Sequence, residues 1–340
     1  MESAVKRIGV LTSGGDAPGM NAAIRAVVRT AMKNSIECVG IRRGWAGLIA
    51  GDICPMNSGS VSRIINRGGT VLYTARSDEF RTPEGQKKAA NTCKLLGLDG
   101  IVAIGGDGTF RGALALSRQA AAQGEQLRVV GIPATIDNDI GCSNYTIGFD
   151  TACNTAIECI DKLRDTMQSH ERCSVVEVMG RHAGYLALYV GIAVGATAVL
   201  IPERDVDFEK DVVERIRESR LAGNTHFMIV VAEGAGSAVE IGKRIQETVG
   251  IDPRVTVLGH IQRGGSPTAR DRETASRMGY AAVKALAEGR MNCIVGTNEG
   301  HLVEIPIEKA LNMTKHLQME RYEVLEAMHN QVPLKCGPIQ

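Results

Sequence analysis

Three short segments place acidic and glycine residues where they could bind phosphate groups or a cation. The first, residues 14–16 (Gly-Gly-Asp), follows an apolar run and precedes a helical pattern. Glycine lets the backbone approach a phosphate closely, and the free N–H groups at a helix start favour anions. A tight turn with a capping aspartate explains this segment equally well. The segment matches neither of the common nucleotide-binding patterns, G-x-x-x-x-G-K-[ST] and G-x-G-x-x-G.

The second segment has a stronger pattern. Asp107 lies among Gly105, Gly106 and Gly108, directly after an apolar run. A carboxylate flanked by glycines can reach a metal ion while the backbone surrounds phosphate oxygens. A plain turn explains three glycines around one acid poorly, so the segment predicts a phosphate and metal loop.

The third segment contains two carboxylates, Asp137 and Asp139, after the apolar run that ends near Ile132. In an extended segment, residues two apart face the same side, so the two carboxylates are expected to share one surface. A proton or a cation between them would relieve their repulsion, which suits a general base beside a metal or hydroxyl partner. An ordinary Asn/Asp turn remains an alternative for this segment taken alone.

Arginines complete the set of candidate site residues. Arg76, Arg172, Arg181, Arg254 and Arg263 lie at or near predicted strand ends or loops, although the formal net charge is only +1. The planar guanidinium group suits phosphate oxygens. Acids for Mg²⁺ and arginines for phosphate together indicate phosphoryl transfer, a reaction driven mostly by positioning and charge stabilisation.

The elements that must position these residues alternate between strand and helix. Apolar runs predict buried strands at 7–11, 38–41, 100–104, 129–132, 174–178, 198–201, 227–232 and 255–258. Helical spacing of apolar residues appears at 21–33, 152–164 and 211–219, and the tail after Met313 reads as helical to about Met328. This alternation predicts a doubly wound α/β protein, in which ligands bind at the carboxyl ends of the strands.

Composition excludes several classes of protein. The chain has 340 residues, 44% hydrophobic and 23% charged, which is typical of a globular protein with room for two domains. The near-zero charge gives no indication of nucleic-acid binding, and no apolar run is long enough to span a membrane. The nine cysteines include no C-x-x-C pair, so we expect reduced thiols and a cytosolic location.

The chain resembles the bacterial phosphofructokinases in five segments, which occur in the order LTSGGDAPGMNAAIR, INRGGT, TIDNDI, SVVEVMGR and LGHIQRGGSPTARDR. The resemblance implies two Rossmann-like lobes with mainly parallel sheets. It assigns 1–147 and 260–310 to a larger ATP-binding lobe, and 148–259 and 311–340 to a smaller sugar-phosphate lobe. It also implies transfer of the ATP γ-phosphoryl group to the 1-hydroxyl of fructose 6-phosphate, with Mg²⁺, in a cytosolic homotetramer under allosteric control.

The resemblance also implies residue roles. Asp137 is the expected base, Arg181 stabilises the transferring phosphoryl group, and Thr135 and Asp139 position the reacting groups. The expected ATP-binding residues are Gly15, Arg76, Ser77, Gly106, Asp107, Gly108 and Thr109, with Asp107 as the metal ligand. The expected sugar-phosphate residues are Thr135, Ile136, Asp137, Met179, Gly180, Arg181, Glu233, His260, Ile261, Gln262 and Arg263, with Arg172 and Arg254 from a neighbouring subunit.

Two positions distinguish ATP from pyrophosphate as the phosphoryl donor in this family. The resemblance implies that pyrophosphate-dependent enzymes carry Asp at the position of Gly108 and Lys at the position of Ala134. With Gly and Ala at these positions, the sequence predicts ATP as the donor. A non-catalytic sensor built on the same fold is a second possibility, but Asp107, Asp137 and Arg181 are all present. An NAD or lipid kinase would share the GGDGT segment and leave TIDNDI and HIQRGG unexplained.

Effector binding is expected to be weak. The resemblance implies that Arg25, Arg29, Arg164 and His226 contribute to an effector site for ADP or phosphoenolpyruvate. Other positions depart from the family. Ser58 stands where relatives often have Arg, and Arg63 where they have Asp. Thr197 replaces a Glu, and Asn224 and Thr225 replace lysines. Each missing charged hydrogen bond removes roughly 1.5–3 kcal/mol of binding free energy, so we expect little activation by ADP.

Overall fold

The structure is a computed structural model that describes residues 5–170 and 172–329. The chain divides into two compact α/β units. Unit 1 runs to Thr151 and includes Arg263–Lys315, and unit 2 contains Ala152–Gln262 and resumes at His316. The chain therefore passes from one unit to the other at Thr151, at Gln262 and at Lys315, a few residues from the limits expected at 147, 259 and 310.

Each of the eight apolar runs in the sequence corresponds to an observed strand. The strands are β1 (Arg7–Ser13), β2 (Glu37–Ile41), β3 (Ile53–Met56), β4 (Gly100–Gly105), β5 (Arg128–Pro133), β6 (Cys173–Val178), β7 (Ala198–Leu200), β8 (Phe227–Ala232), β9 (Arg254–Val257), β10 (Cys293–Asn298) and β11 (His301–Pro306). Unit 1 holds a seven-stranded sheet in the order β11-β10-β5-β4-β1-β2-β3, and unit 2 a four-stranded sheet in the order β7-β8-β6-β9. Pairing is parallel except at the edge strands β3 and β11, which confirms the predicted α/β class.

The helices follow the strands as expected. They are α1 (Met20–Lys33), α2 (Gly44–Ala50), α3 (Pro83–Leu95), α4 (Asp107–Ala122), α5 (Phe149–His170), α6 (Tyr185–Ala193), α7 (Arg215–Leu221), α8 (Ala238–Val249), α9 (Ala269–Ala287), α10 (Ile307–Ala310) and α11 (Met319–Met328). A π-helical turn, Glu209–Glu214, precedes α7. Helix α11 ends where the sequence predicted, but it begins at Met319 rather than soon after Met313.

Burial separates the central strands from the edges. Strands β4 and β8 are buried along their whole length, as expected for parallel strands covered on both faces. The prediction of a buried strand at 255–258 was wrong, because β9 is an edge strand in which Val255 and Val257 are 36% and 54% exposed. Sequence reasoning missed β3, which has four residues, β11, whose burial alternates, and the buried strand β10, whose sequence CIVGTN ends in polar residues.

Two further expectations concerned the state of the cysteines and the possibility of a membrane-spanning helix. The eight cysteines in the described part of the chain are all free thiols, and Cys336 lies outside it. Burial raises the pKa of Cys38, Cys93 and Cys173 to about 12, so these thiols stay protonated at neutral pH. Within 5–170 and 172–329, no helix is both long and apolar enough to cross a membrane.

A buried carboxylate fixes the point at which the chain first leaves unit 1. Asp271, in the first turn of α9, is fully buried. It accepts hydrogen bonds from the backbone N–H of Gly148 at 2.7 Å and of Thr151 at 2.9 Å, and from the hydroxyl groups of Tyr145 and Thr151. Burial raises the pKa of Asp271, while these four donors lower it. The carboxylate therefore ties the start of α5 to α9.

Removing this carboxylate should destabilise the fold. Asp271→Ala leaves buried donors without an acceptor, so we expect the free energy of unfolding to fall by about 2–4 kcal/mol. Urea denaturation followed by circular dichroism measures this change. The exposed Asp161 on α5 provides the control, since Asp161→Ala should change stability by less than about 0.5 kcal/mol. Equal stability of the two variants would contradict the assignment.

Candidate active site

The register of three parallel strands brings the predicted loops to one edge of the unit 1 sheet. Ser13 at the end of β1 pairs with Gly105 at the end of β4, and Gly105 pairs with Pro133 at the end of β5. The three strands therefore end level. The loops that follow them, 14–16, 106–109 and 134–140, start side by side at the carboxyl edge, where open α/β sheets bind ligands.

A cavity of about 710 Å³ opens at this edge within unit 1. Nine of the residues singled out from the sequence line it: Gly15, Arg76, Ser77, Gly106, Gly108, Thr109, Thr135, Asp137 and Arg263. Arg81 and Arg111 join Arg76 and Arg263 in the lining, and Asp137 contributes a carboxylate. Four guanidinium groups around one acid make this a cavity for a polyanion.

The start of α4 forms one wall of the cavity. The Thr109 hydroxyl donates to the carbonyl of Ser13 at 3.0 Å, which ties the first turn of the helix to the end of β1. The first N–H groups of a helix have no partner within it, and the helix dipole favours an anion there. Asp107 is the first residue of α4. Its side chain is 54% exposed and pairs with Arg111 at 3.4 Å, and it is not part of the lining.

The segment 135–140 differs from the sequence expectation. It was expected to be extended, with both carboxylates on one side, but it forms a turn in which Asn138 has a φ of 52°. The turn separates the two acids. Asp137 is half-buried and lines the cavity, whereas Asp139 is exposed and lies outside that lining. The prediction of a shared carboxylate surface was therefore wrong. The left-handed conformation of Asn138 interrupts the extended backbone, so residues 137 and 139 no longer share one side.

The far side of the cavity was largely missed by sequence reasoning. Trp45 stacks on Phe80 with ring centroids 4.7 Å apart and the planes 8° from parallel, and both rings line the cavity. No pattern in the sequence indicated Phe80, on the 3₁₀ turn Glu79–Arg81, or Gln86, in the first turn of α3. Arg111 could have been found, since it follows Asp107 by one helical turn.

Unit 2 repeats the arrangement at the carboxyl edge of its own sheet. Val178 at the end of β6 pairs with Ala232 at the end of β8, so the segments after both strands start level. A cavity of about 460 Å³ lies there, lined by Glu177, Arg181, Glu233 and Ser237 together with three small residues. Two of these, Arg181 and Glu233, were predicted from the sequence.

The loop after β6 depends on a glycine. Gly180 has a φ of 128°, and a Cβ there would lie 2.5 Å from the carbonyl oxygen of Ala183. A side chain at this position would strain the backbone and collide with it, so Gly180 allows the tight turn that leads into Arg181. The neighbouring Met179 donates its N–H to the side-chain oxygen of Gln262 at 2.8 Å.

The segment after β9 carries the remaining sugar-phosphate candidates. Gln262 is fully buried, whereas His260 and Ile261 are exposed on the 3₁₀ turn Gly259–Arg263. Arg263 was grouped with them by the resemblance, but it belongs to unit 1. There it donates to the carbonyl of Asp16 at 3.1 Å and lines the larger cavity.

Two predicted arginines lie at the opposite edge of the unit 2 sheet. Arg172 directly precedes β6, and Arg254 is the first residue of β9, which pairs with β6. Six residues of β6 separate this amino edge from Arg181, about 20 Å at the usual rise per residue. Arg254 is 55% exposed and pairs with Asp252 at 3.5 Å.

The expected effector residues are distributed over both units. Arg25 and Arg29 lie one turn apart on α1 in unit 1, and Arg29 is exposed. In unit 2, the guanidinium of Arg164 donates to the carbonyl of Val194. The hydroxyl of Thr197 accepts from the N–H of Met228 at 3.1 Å, so it supports the sheet.

Comparisons with known proteins agree with these features. The family model for phosphofructokinase matches residues 7–286. An ATP-dependent 6-phosphofructokinase of Clostridium botulinum (strain Loch Maree / Type A3) is 51% identical over 320 residues, which cover 94% of this chain and 98% of the relative.

Two solved structures share the fold. A phosphofructokinase of Saccharomyces cerevisiae superposes with a TM-score of 0.86 at 35% identity, covering 96% of this chain and 47% of the yeast chain. A pyrophosphate-dependent phosphofructokinase of Marinobacter aquaeolei gives a TM-score of 0.84 at 21% identity, covering 98% of this chain and 94% of that one. The chain belongs to the phosphofructokinase family.

Proposed function

We propose that the protein transfers the γ-phosphoryl group of ATP to the 1-hydroxyl of fructose 6-phosphate, giving fructose 1,6-bisphosphate and ADP. One observation carries the proposal. In unit 1, two glycine loops, four arginines and the carboxylate of Asp137 line a single cavity large enough for a nucleotide. The name of the Clostridium botulinum relative, at 51% identity over nearly the whole of both chains, supports ATP as the donor.

The triphosphate is assigned to the inner wall of this cavity. The backbone at Gly15, Gly106 and Gly108 and the first turn of α4 offer N–H groups to phosphate oxygens. Arg76 and Ser77 lie in the same wall. The apolar pair of Trp45 and Phe80 offers a flat surface that suits the purine base.

Magnesium fits this set of residues. The described residues contain no group of three or more acidic, histidine or cysteine side chains that could hold a metal ion. Mg²⁺ needs only one or two protein carboxylates when substrate phosphates and water supply its other ligands. Asp107 is exposed in the first turn of α4, so it is the proposed ligand, and the ion supplies neutralisation of phosphate charge.

Asp137 is the proposed general base. Its carboxylate takes the proton of the 1-hydroxyl as that oxygen attacks the γ-phosphorus of ATP, and the bond from the γ-phosphorus to ADP breaks. Thr135 stabilises the local turn, because its hydroxyl accepts the N–H of Asp137 at 3.2 Å. Arg181 is the proposed source of positive charge for the transferring group.

The sugar phosphate is assigned to residues of unit 2. Arg181 and Glu233 line its cavity, and Met179 and His260 belong to the adjoining loops. Fructose 6-phosphate is an anionic, hydroxyl-rich ligand, which suits a lining of charged side chains. The proposal includes a cytosolic location for this reaction.

A neighbouring subunit is proposed to complete the sugar-phosphate site, within a homotetramer. Arg172 and Arg254 lie at the amino edge of the unit 2 sheet, opposite the carboxyl edge that leads into Arg181. The exposed edge strand β9, with Val255 and Val257 on its surface, leaves backbone groups and apolar side chains available to another chain. These features support the two arginines as donors to the 6-phosphate of a partner's site.

A coupled assay for fructose 1,6-bisphosphate tests the proposed function. With fructose 6-phosphate and Mg²⁺, we expect turnover with ATP and none with pyrophosphate. Turnover with pyrophosphate alone would contradict the donor assignment. Absence of turnover with both would favour a sugar-phosphate or nucleotide sensor instead.

Gly108 supplies a matched pair of variants for this assay. A Cβ at Gly108 meets no atom within 4 Å, so both variants should fold. Gly108→Asp adds a negative charge to the triphosphate wall and should raise KM for ATP by about 10- to 100-fold, as expected for loss of 1.5–3 kcal/mol. Gly108→Ala adds only a methyl group and should change KM far less.

The role of Asp137 gives a separate prediction. Asp137→Ser removes the proposed base, so kcat should fall by roughly 10²- to 10⁴-fold while KM for fructose 6-phosphate changes far less. Steady-state kinetics with both substrates measures the two constants. Near-normal kcat in this variant would remove Asp137 from the role of base.

A mixing experiment tests the shared site. Arg254→Ala should raise KM for fructose 6-phosphate by about 10- to 100-fold. Chains carrying Asp137→Ser and chains carrying Arg254→Ala are then dissociated, mixed equally and reassembled. If each site takes Asp137 and Arg254 from different chains, roughly a quarter of the sites regain both residues, and activity returns accordingly.

The control is a mixture of two inactive chains that both lack Asp137. Asp137→Ser mixed with Asp137→Asn should recover no activity, because no site regains the base. If the mixture of Asp137→Ser with Arg254→Ala also regains no activity on mixing, Arg254 serves only its own chain.

A further inference from the structure

The last residues of unit 1 pack against the turn that carries Asp137. A Cβ on Gly141 would lie 2.1 Å from the carbonyl oxygen of Met313, which is closer than any side chain allows. Glycine therefore lets the segment before Lys315 lie directly on the segment that follows the turn. Lys315 is the final residue of unit 1, and the chain enters unit 2 at His316.

The turn itself depends on Asn138. This residue lies between Asp137 and Asp139, is 3% exposed and has a φ of 52°. Asparagine tolerates the left-handed region better than most residues, but the conformation still persists only where its surroundings hold it. Asp137 lines the cavity and Asp139 does not, so the groups that hold Asn138 between them influence where the carboxylate of Asp137 lies.

Lys315 supplies the strongest of these contacts. Its ammonium group donates to the side-chain oxygen of Asn138 at 2.9 Å and to the carbonyl oxygen of Asn144 at 3.3 Å. The hydroxyl of Thr146 donates to the same Asn138 oxygen at 3.4 Å, which is a weaker contact. A hydrogen bond from a charged donor is about twice as strong as a neutral one.

Lys315 is half-buried, and its contact with Asn138 is shielded in part from solvent. Burial lowers the pKa of Lys315 to about 8, and the charge of Asp139 partly opposes this shift. The thiol of Cys142 also lies nearby, but burial raises its pKa to about 11, so it is neutral. Partial burial of an ammonium group costs stability, and a methionine would fill similar space without that cost. The contact is therefore poorly explained by stability alone.

We propose that Lys315 is a positioning residue for phosphoryl transfer, which holds Asn138 in its left-handed conformation and so keeps the carboxylate of Asp137 directed into the cavity. The inference rests on the proposed role of Asp137 as the base. Lys315 is not assigned a contact with either substrate, and its hydrogen bonds to Asn138 and Asn144 go to the turn and to the segment after it.

A double-mutant cycle tests the contact from both sides. Lys315→Met removes the donor, and Asn138→Gly removes the acceptor while glycine still adopts the positive φ without strain. We expect each variant to lower kcat by about 10- to 100-fold, the usual effect of a small misplacement of a catalytic group. The KM values for ATP and fructose 6-phosphate should stay within about threefold, and the double variant should be no slower than the single ones.

Two controls separate positioning from a general loss of structure. Lys309→Met removes an exposed lysine of α10 and should leave kcat within about twofold of the parent. Lys315→Met should lower the midpoint of urea denaturation only slightly, because the loss of its hydrogen bonds is offset by removal of a partly buried charge. A fall in kcat that accompanies a matching fall in this midpoint would overturn the proposal in favour of a structural role.

The Asp137→Ser background separates failure of this proposal from failure of the proposed function. Lys315 acts through Asp137, so Lys315→Met should not lower the residual turnover of Asp137→Ser any further. Wild-type kcat in Lys315→Met, or additive losses in the cycle, would overturn the role of Lys315 while leaving the base assignment intact. High turnover in Asp137→Ser would instead overturn the base assignment itself.

Discussion

The level ending of three parallel strands is the constraint on which the site in unit 1 depends. Hydrogen bonding sets Ser13, Gly105 and Pro133 side by side, so three loops that are distant in sequence begin together. None of those loops would form a site alone, because each supplies one part: a glycine turn, a helix start, or a carboxylate. The register brings them together in one cavity, which is lined by the backbone of the glycine loops and by Asp137.

The chain leaves unit 1 through segments that are tied to it by buried polar contacts. Thr151, at the first crossing, donates to the buried carboxylate of Asp271. Lys315, at the last crossing, donates to the side chain of Asn138. Both contacts lie within unit 1, and buried polar groups are costly unless they are satisfied. Each of these two crossings out of unit 1 therefore has an attachment point, and one of these attachments is the turn that carries Asp137.

Much of the fold could be predicted from the sequence, because buried parallel strands give continuous apolar runs. The eight predicted runs correspond to observed strands, and the α/β class follows from their alternation with helices. The edge strands were harder. β9 reads as apolar although it is exposed, and β11 alternates as an edge strand does, so hydrophobicity alone cannot tell which strand is central.

The candidate site was predictable where chemistry is local and failed where it depends on the path of the backbone. Glycines around an acid identified the wall formed by α4, but no pattern reveals the left-handed φ of Asn138, which separates Asp137 from Asp139. The pairing of Trp45 with Phe80 depends on tertiary packing, and the contact of Lys315 spans 177 residues of sequence. Such contacts are set by the whole fold and leave no signal in local spacing.

A crystal structure with fructose 6-phosphate and a non-hydrolysable MgATP analogue tests the central claim most directly. We expect the triphosphate against Gly15 and the first turn of α4, the adenine ring beside Trp45, and the γ-phosphate at the end of the cavity where Asp137 lies. A nucleotide bound in the cavity of unit 2, or a triphosphate in unit 1 with its γ-phosphate turned away from Asp137, would contradict it.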